Sequence, residues 1–283
     1  MSRPLLAALF AGLLGAAQAA PVTLTLDLMN DRRPFEGTVT TSGGQALHLK
    51  LWQFYVSQVA LVNADGSEQA LSGLNLVKVT DHGPFRHLLM FSGSAPAGDY
   101  RGVNFSIGVP RALNHRDATF AAPPLSVDDG MYWAWNAGYL FSRFEGEATL
   151  PGVGGAAVPT GVALHFGEDS NFLAVTLTDL LRPQTTIHVP EQGVSVPLTL
   201  NVARLVGTGV NGAAFDLSKG TYQQIHFGAA AAQLRANLAS AFSLGSGGAA
   251  GPSPATGPSA APATDTGTGG GMVPGMSMPP ATP

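Results

Sequence analysis

The chain has 283 residues, only 11% of them charged, and a formal net charge of −4. So few charges, against ~25% in ordinary domains, and the lack of any basic run argue against nucleic acid as a partner. There is no cysteine, which excludes disulfides, thiolate metal sites, iron–sulfur clusters, a cysteine nucleophile and covalent c-type haem.

Residues 1–19 read as a secretory signal peptide. Arg3 supplies the positive end, residues 5–17 the apolar run, and Ala17-Gln18-Ala19 an A-x-A cleavage site. The apolar run is too short to span a bilayer well. The expectation is an exported protein, periplasmic or secreted, with no membrane insertion after cleavage. About 225 residues then lie between leader and tail, enough for one good core.

Residues 22–29 alternate Val22, Leu24, Leu26 and Leu28 against Thr23, Thr25 and Asp27, the pattern of a half-buried strand. A polar loop over 30–44 ends in Ser42-Gly43-Gly44. Residues 45–62 form a long extended run, in which Leu47, Leu49 and Leu51 face one way and His48, Lys50, Trp52 and Phe54 the other. Strands are predicted over 74–80, 86–91 and 100–109, the first two joined by Asp81-His82-Gly83-Pro84. Residues 111–130 read as a loop.

An aromatic stretch follows. It holds Tyr132, Trp133, Trp135, Tyr139, Phe141 and Phe144, and from Tyr139 onward it reads as a strand. Either it is a core strand with a tryptophan corner, or it is a rigid wall beside a site. Residues 151–157 form a Gly-rich turn. Strands over 160–166 and 171–178 are expected to pair with each other, and strands over 185–189 and 194–203 follow.

The period changes at Gly228. Leu234, Leu238 and Phe242 lie four apart on one face of a short C-terminal helix. Residues 245–283 are Gly, Pro, Ala, Ser and Thr with almost no charge, the composition of a disordered tail. Its Met272, Met276 and Met278 carry thioethers that suit Cu(I), but so few in a flexible segment are more simply incidental. Many short strands without intervening helices predict one all-β domain over 20–244, an antiparallel β-sandwich with a short C-terminal helix.

The seven histidines are His48, His82, His87, His115, His165, His188 and His226. None forms a zinc-protease HExxH pair. Each alone reads as a hydrogen-bonded strand residue. Gathered at one end of a sandwich they would make an imidazole site suited to copper or zinc. Carboxylate pairs occur at Asp128 and Asp129, at Glu168 and Asp169, and at Glu145 and Glu147, which share a strand face. A glycosidase would need a sugar cleft as well, so solvated edge charge is the simpler reading. No nucleophile elbow, P-loop or dinucleotide fingerprint is present.

Five phrases, in order over residues 22–244, resemble the MbnP-like copper-binding family. They are Phe54-Tyr55-Val56-Ser57-Gln58-Val59-Ala60-Leu61 with Asp65-Gly66; Gly98-Asp99-Tyr100 leading through Phe105-Ser106-Ile107-Gly108-Val109-Pro110 to Leu113-Asn114-His115-Arg116-Asp117; the W-x-W-x-x-G-Y run Trp133 to Tyr139; His165-Phe166-Gly167; and Ile225-His226-Phe227-Gly228. The resemblance implies a β-rich secreted domain that binds copper and is not an enzyme. It implies a partner too, a di-haem MauG-like peroxidase that in some members oxidises a tryptophan to kynurenine. One branch carries four cysteines, and this chain resembles the cysteine-free branch. His165 and His226, inside matching phrases, are the first expected ligands. His115 is third, and His48 follows because it shares a strand face with Trp52. Trp133 and Trp135 match the signature, and Trp52 is the other candidate for oxidation. His82, His87 and His188 match no phrase. The alternatives are a structural or interaction module with unmetallated histidines, serving as the haem partner's substrate, and a carbohydrate-active domain using Glu145 and Glu147.

Overall fold

In a computed structural model, described over residues 19–135, 138–178 and 186–245, two large hydrogen-bonded sheets and a small two-stranded one, Gly98–Tyr100 with Ile187–Val189, share one apolar core. The first strand runs Ala19–Asn30 and buries Val22, Leu24, Leu26 and Leu28, as its alternation requires. It anchors the smaller of the two large sheets. Antiparallel Leu88–Pro96 lies beside it and Val194–Asn201 on its other side, with Phe242–Leu244 at that edge. The larger sheet is ordered Leu173–Thr178, Gly102–Ile107, Ala46–Val62, Gly138–Pro151, Ala157–Gly167 and the short Gln224–Ile225, with Leu74–Thr80 also paired to the long strand Ala46–Val62. Phe242 of the smaller sheet closes edge-on against Phe54 and Phe105 of the larger, at ring separations of 6.5 and 5.1 Å.

The all-β expectation holds, with four differences in detail. The pairing of Ala19–Asn30 with Val194–Asn201 is parallel, Val22 opposite Val194 through Met29 opposite Asn201. Alternation fixes which face is buried but is blind to chain direction. Leu173–Thr178 pairs with Gly102–Ile107, not with the strand before it. The turn between them takes a 3-10 helix, Asp169–Asn171, rather than a hairpin. Phe242 is not on the helix, which spans Gly228–Ala241, but opens the edge strand after it. Short pieces also appear inside expected loops: strands Arg33–Pro34 and Thr38–Thr40, a helical turn Arg111–Asn114, and a 3-10 turn Val127–Asp129.

Bulges decide the remaining faces. Glu145 pairs with Leu51 but Gly146 with Leu49, so Lys50 is an extra residue in the long strand. Leu49 and Trp52 therefore both point inward, and His48 and Lys50 outward. A second bulge at Phe141 separates Leu140, opposite Gly167, from Ser142, opposite Phe166. The expected signal peptide (1–18 of its residues), most of the tail (246–283), and Thr185 lie outside the described residues. Among the described residues no helix is long and apolar enough to cross a membrane.

Candidate functional site

Cross-strand partners share a sheet face. One row of the larger sheet reads Lys78, Gln53, Arg143 and His165 across four strands. The next strand, Gln224–Ile225, runs parallel to the strand Ala157–Gly167 and pairs Ala163 with Gln224 and Leu164 with Ile225. One residue further on, His226 falls beside His165. Their rings stand 5.0 Å apart, centre to centre, at 63°. Two histidines 61 positions apart in the chain meet because a two-residue strand adds in parallel to the sheet edge.

This face is covered by the chain that precedes the aromatic strand Gly138–Pro151. Gln53 Nε2 donates to the Asp129 carbonyl at 3.2 Å, and Arg143 Nη1 to the Gly130 carbonyl at 3.1 Å. Tyr132 and Trp133 then pair with Tyr139 and Gly138. Gly167 ends the histidine strand where Trp133 packs; a Cβ there would sit 2.7 Å from the Tyr139 carbonyl oxygen and 3.4 Å from the Trp133 ring. The Trp133 ring lies 6.2 Å from His226 and 4.9 Å from Trp135, which is 67% exposed. An indole pair thus runs from solvent to the imidazoles.

His165 is 7% exposed, and neither of its ring nitrogens makes a hydrogen bond. Its Nε2 lies 3.4 Å from Glu145 Oε1, which also accepts from Arg143 Nε at 2.9 Å. Burial first, then the charges of His226 and Arg143, push the His165 pKa down to about 4 against the opposing pull of Glu145. His165 is therefore a neutral imidazole at neutral pH. His226 is half-buried beside it. Two imidazoles side by side, one of them neutral with buried unpartnered nitrogens, can hold a borderline or soft cation. The donors present fit such an ion, but not as a complete shell: among the described residues no group of three or more His, Asp or Glu could hold a metal ion.

The other predicted residues do not join the pair. His115 lies 3.0 Å from Asp169 Oδ2, which also faces Arg111 Nη1 at 3.3 Å. Burial would raise the Asp169 pKa, but hydrogen bonds from Asn114 and His115, with the charges of His115 and Arg111, hold it below the usual range. His48 is exposed and bonds Thr38 Oγ1 at 2.7 Å. The Lys50 bulge takes it off the Trp52 face, which removes the reason for choosing it. It stands opposite Glu147, four residues along from Arg143, hence roughly 13 Å from the His165 row. Trp52 is fully buried on the other face, its Nε1 donating to Ser142 Oγ at 3.1 Å and its ring against Phe54 and Phe144. It is a core residue away from the imidazoles. His82, His87 and His188 sit beside Asp81, Asp27 and Asp99 at the surface. Glu145 and Glu147 lie side by side on one strand, and Glu145 is engaged by Arg143, so they do not face each other across a cleft.

Two supporting residues, Arg143 and Asn114, were not singled out from sequence, and a third, Glu145, was considered only as a carboxylate paired with Glu147. Arg143 and Glu145 act on His165 through sheet register, which sequence does not show. Asn114 is buried; its Oδ1 accepts from the Tyr139 amide at 2.7 Å and its Nδ2 donates to Asp169 Oδ1 at 2.9 Å. It clips the aromatic strand to the turn after His165. Its place inside the Leu-Asn-His phrase was the available signal.

The sequence matches the MbnP family over residues 19–228. The structure is similar to that of MbnP from Methylosinus trichosporium, at 19% sequence identity over 68% of this chain and 79% of that one, with a TM-score of 0.47. No curated protein matches the chain.

Proposed function

The chain belongs to the MbnP family, and from that premise we propose that it is a periplasmic copper-binding protein that sequesters or delivers the ion and is not an enzyme. The observation that carries this reading is the His165–His226 pair, rings 5.0 Å apart with the His165 nitrogens buried and unpartnered. These two residues would hold the ion. Imidazole suits copper, and it binds as the neutral ring, the form that burial imposes on His165. Bound there, copper would contribute a one-electron redox centre held by two nitrogens. The chain's part is to keep His165 neutral, to hold the two rings side by side, and to cover them with Trp133. The leader-like residues 1–19 support export.

A di-haem MauG-like peroxidase is the proposed partner, and Trp133 the tryptophan it would oxidise, since Trp133 alone of the three indoles stands edge-on to a site imidazole. Trp135 lies next to it, and Trp52 is walled off in the core. The second reading is a non-metallated module that serves as the haem partner's substrate. It is favoured by the absence, among the described residues, of a third His, Asp or Glu to complete a metal shell.

Copper titration of the exported protein decides between them. One stoichiometric site, lost in the His165→Ala, His226→Ala double variant, is the expected result. No tight site, or a site untouched by the double variant, would overturn the copper reading. Intact mass of the protein from its host reads the second alternative, as oxygen gain at tryptophan without retained metal.

A further inference from the structure

The carboxylate and guanidinium beside His165 belong to one small network. Arg143 stands directly opposite His165 in register, and Glu145 is two residues further along the same strand on the same face. Arg143 is fixed at both ends of its fork: Nη1 donates to the Gly130 carbonyl at 3.1 Å, and Nε to Glu145 Oε1 at 2.9 Å. That charge-assisted bond holds the carboxylate in one orientation. The same Oε1 lies 3.4 Å from His165 Nε2. His165 Nδ1 has no hydrogen-bond partner and is shut off from solvent.

A neutral imidazole has one N–H and one lone pair, and its neighbours choose which nitrogen carries which. With the proton on Nε2, the N–H lies beside a carboxylate oxygen, 3.4 Å from the nitrogen. With the proton on Nδ1, a lone pair would face that oxygen and a buried N–H would face nothing. Electrostatics favours the first arrangement on both counts. We propose that Glu145, clamped by Arg143, is a positioning residue that keeps the proton of His165 on Nε2 and so presents the Nδ1 lone pair as the metal-binding atom. The purpose of this arrangement rests on the copper reading above; its geometry does not. A ligating histidine commonly gives its other N–H to a carboxylate, which orients the ring and makes the ligating nitrogen a better donor.

The test is made first on the metal-free, 15N-labelled exported protein, by long-range 1H–15N correlation of the histidine rings at neutral pH. His165 should show a protonated Nε2 and a bare Nδ1, as a single tautomer. In Glu145→Ala the preference should be lost, the two ring-nitrogen shifts moving toward each other, while the fold is checked by the dispersion of the remaining amides. A wild-type ring protonated on Nδ1 overturns the proposal without any variant, and so does a Glu145→Ala protein that keeps the wild-type tautomer. Copper titration is the second arm: Glu145→Ala should weaken binding about 10–100-fold. A correct tautomer in a wild-type protein that binds no copper sinks the functional reading and leaves the positioning intact. A correct tautomer with copper affinity unchanged in Glu145→Ala overturns the link between the two.

Discussion

Two neighbouring rows of the larger sheet, one residue apart, differ in everything but their strands. The inner row is Val79, Trp52, Phe144, Leu164 and Ile225, all apolar and at most 2% exposed. The outer row is Lys78, Gln53, Arg143 and His165, with His226 beside it. The inner row stabilises by taking apolar area out of water. The outer row is covered only in part, Lys78 being exposed, and several buried groups on its face lack partners: Gln53 Oε1, the hydroxyl of Tyr55, and both His165 nitrogens. Burial pushes the Tyr55 pKa up from its ordinary value, so its hydroxyl keeps its proton. Unpartnered buried polar groups oppose folding. They are retained here on the face that carries the candidate site, while the other face supplies the stability.

The sharpest way to break the contrast is to damage the inner row. Trp52→Ala removes a fully buried indole and its bond to Ser142, and should destabilise the protein by about 3–5 kcal/mol in denaturant unfolding. If the two faces are as separable as they look, the variant that remains folded keeps its His165–His226 pair.

Next in size is a pH effect from the outer row. The folded pKa of His165, about 4, lies below its ordinary value of 6.5, so the unfolded chain takes up the proton first. Stability from this group is complete above pH 6.5 and is lost as the pH falls toward 4. The loss amounts to at most about 3 kcal/mol. Unfolding free energy measured against pH should show that slope in the wild type, and His165→Gln should lack it. An equal slope in both proteins would mean that His165 is not held neutral by its surroundings, which include Arg143, Glu145 and His226.

Smallest of all should be His48→Ala. The residue is exposed at the far end of the outer face, bonded to Thr38. A change within about 0.5 kcal/mol in thermal unfolding is expected, with copper titration unchanged. A loss of binding would put the site at the wrong end of the sheet.

The strands were legible because their period is local. The alternation over residues 22–29 predicted which side chains of Ala19–Asn30 are buried, and each one is. The His165 and His226 phrases were legible as phrases, through likeness to a family. Their contact was not, because it depends on a parallel addition at the sheet edge that no periodicity announces. His48 shows the opposite failure. Strict alternation put it on the Trp52 face, and one inserted residue, Lys50, reversed that. Phe242 has the right spacing for the helix, but the chain turns extended there and delivers its ring to Phe54 and Phe105.

By itself, the sequence determined that this protein is built from strands around one core, without disulfides, and that any transition-metal site would have to use imidazole. Those properties follow from composition and from local alternation of side chains. Only the tertiary structure decided which imidazoles meet, which tryptophan stands beside them, and that Arg143 and Glu145 frame one of the rings. Such contacts are set by strand order, direction and bulges, and these are fixed by how whole faces pack rather than by any short stretch of chain.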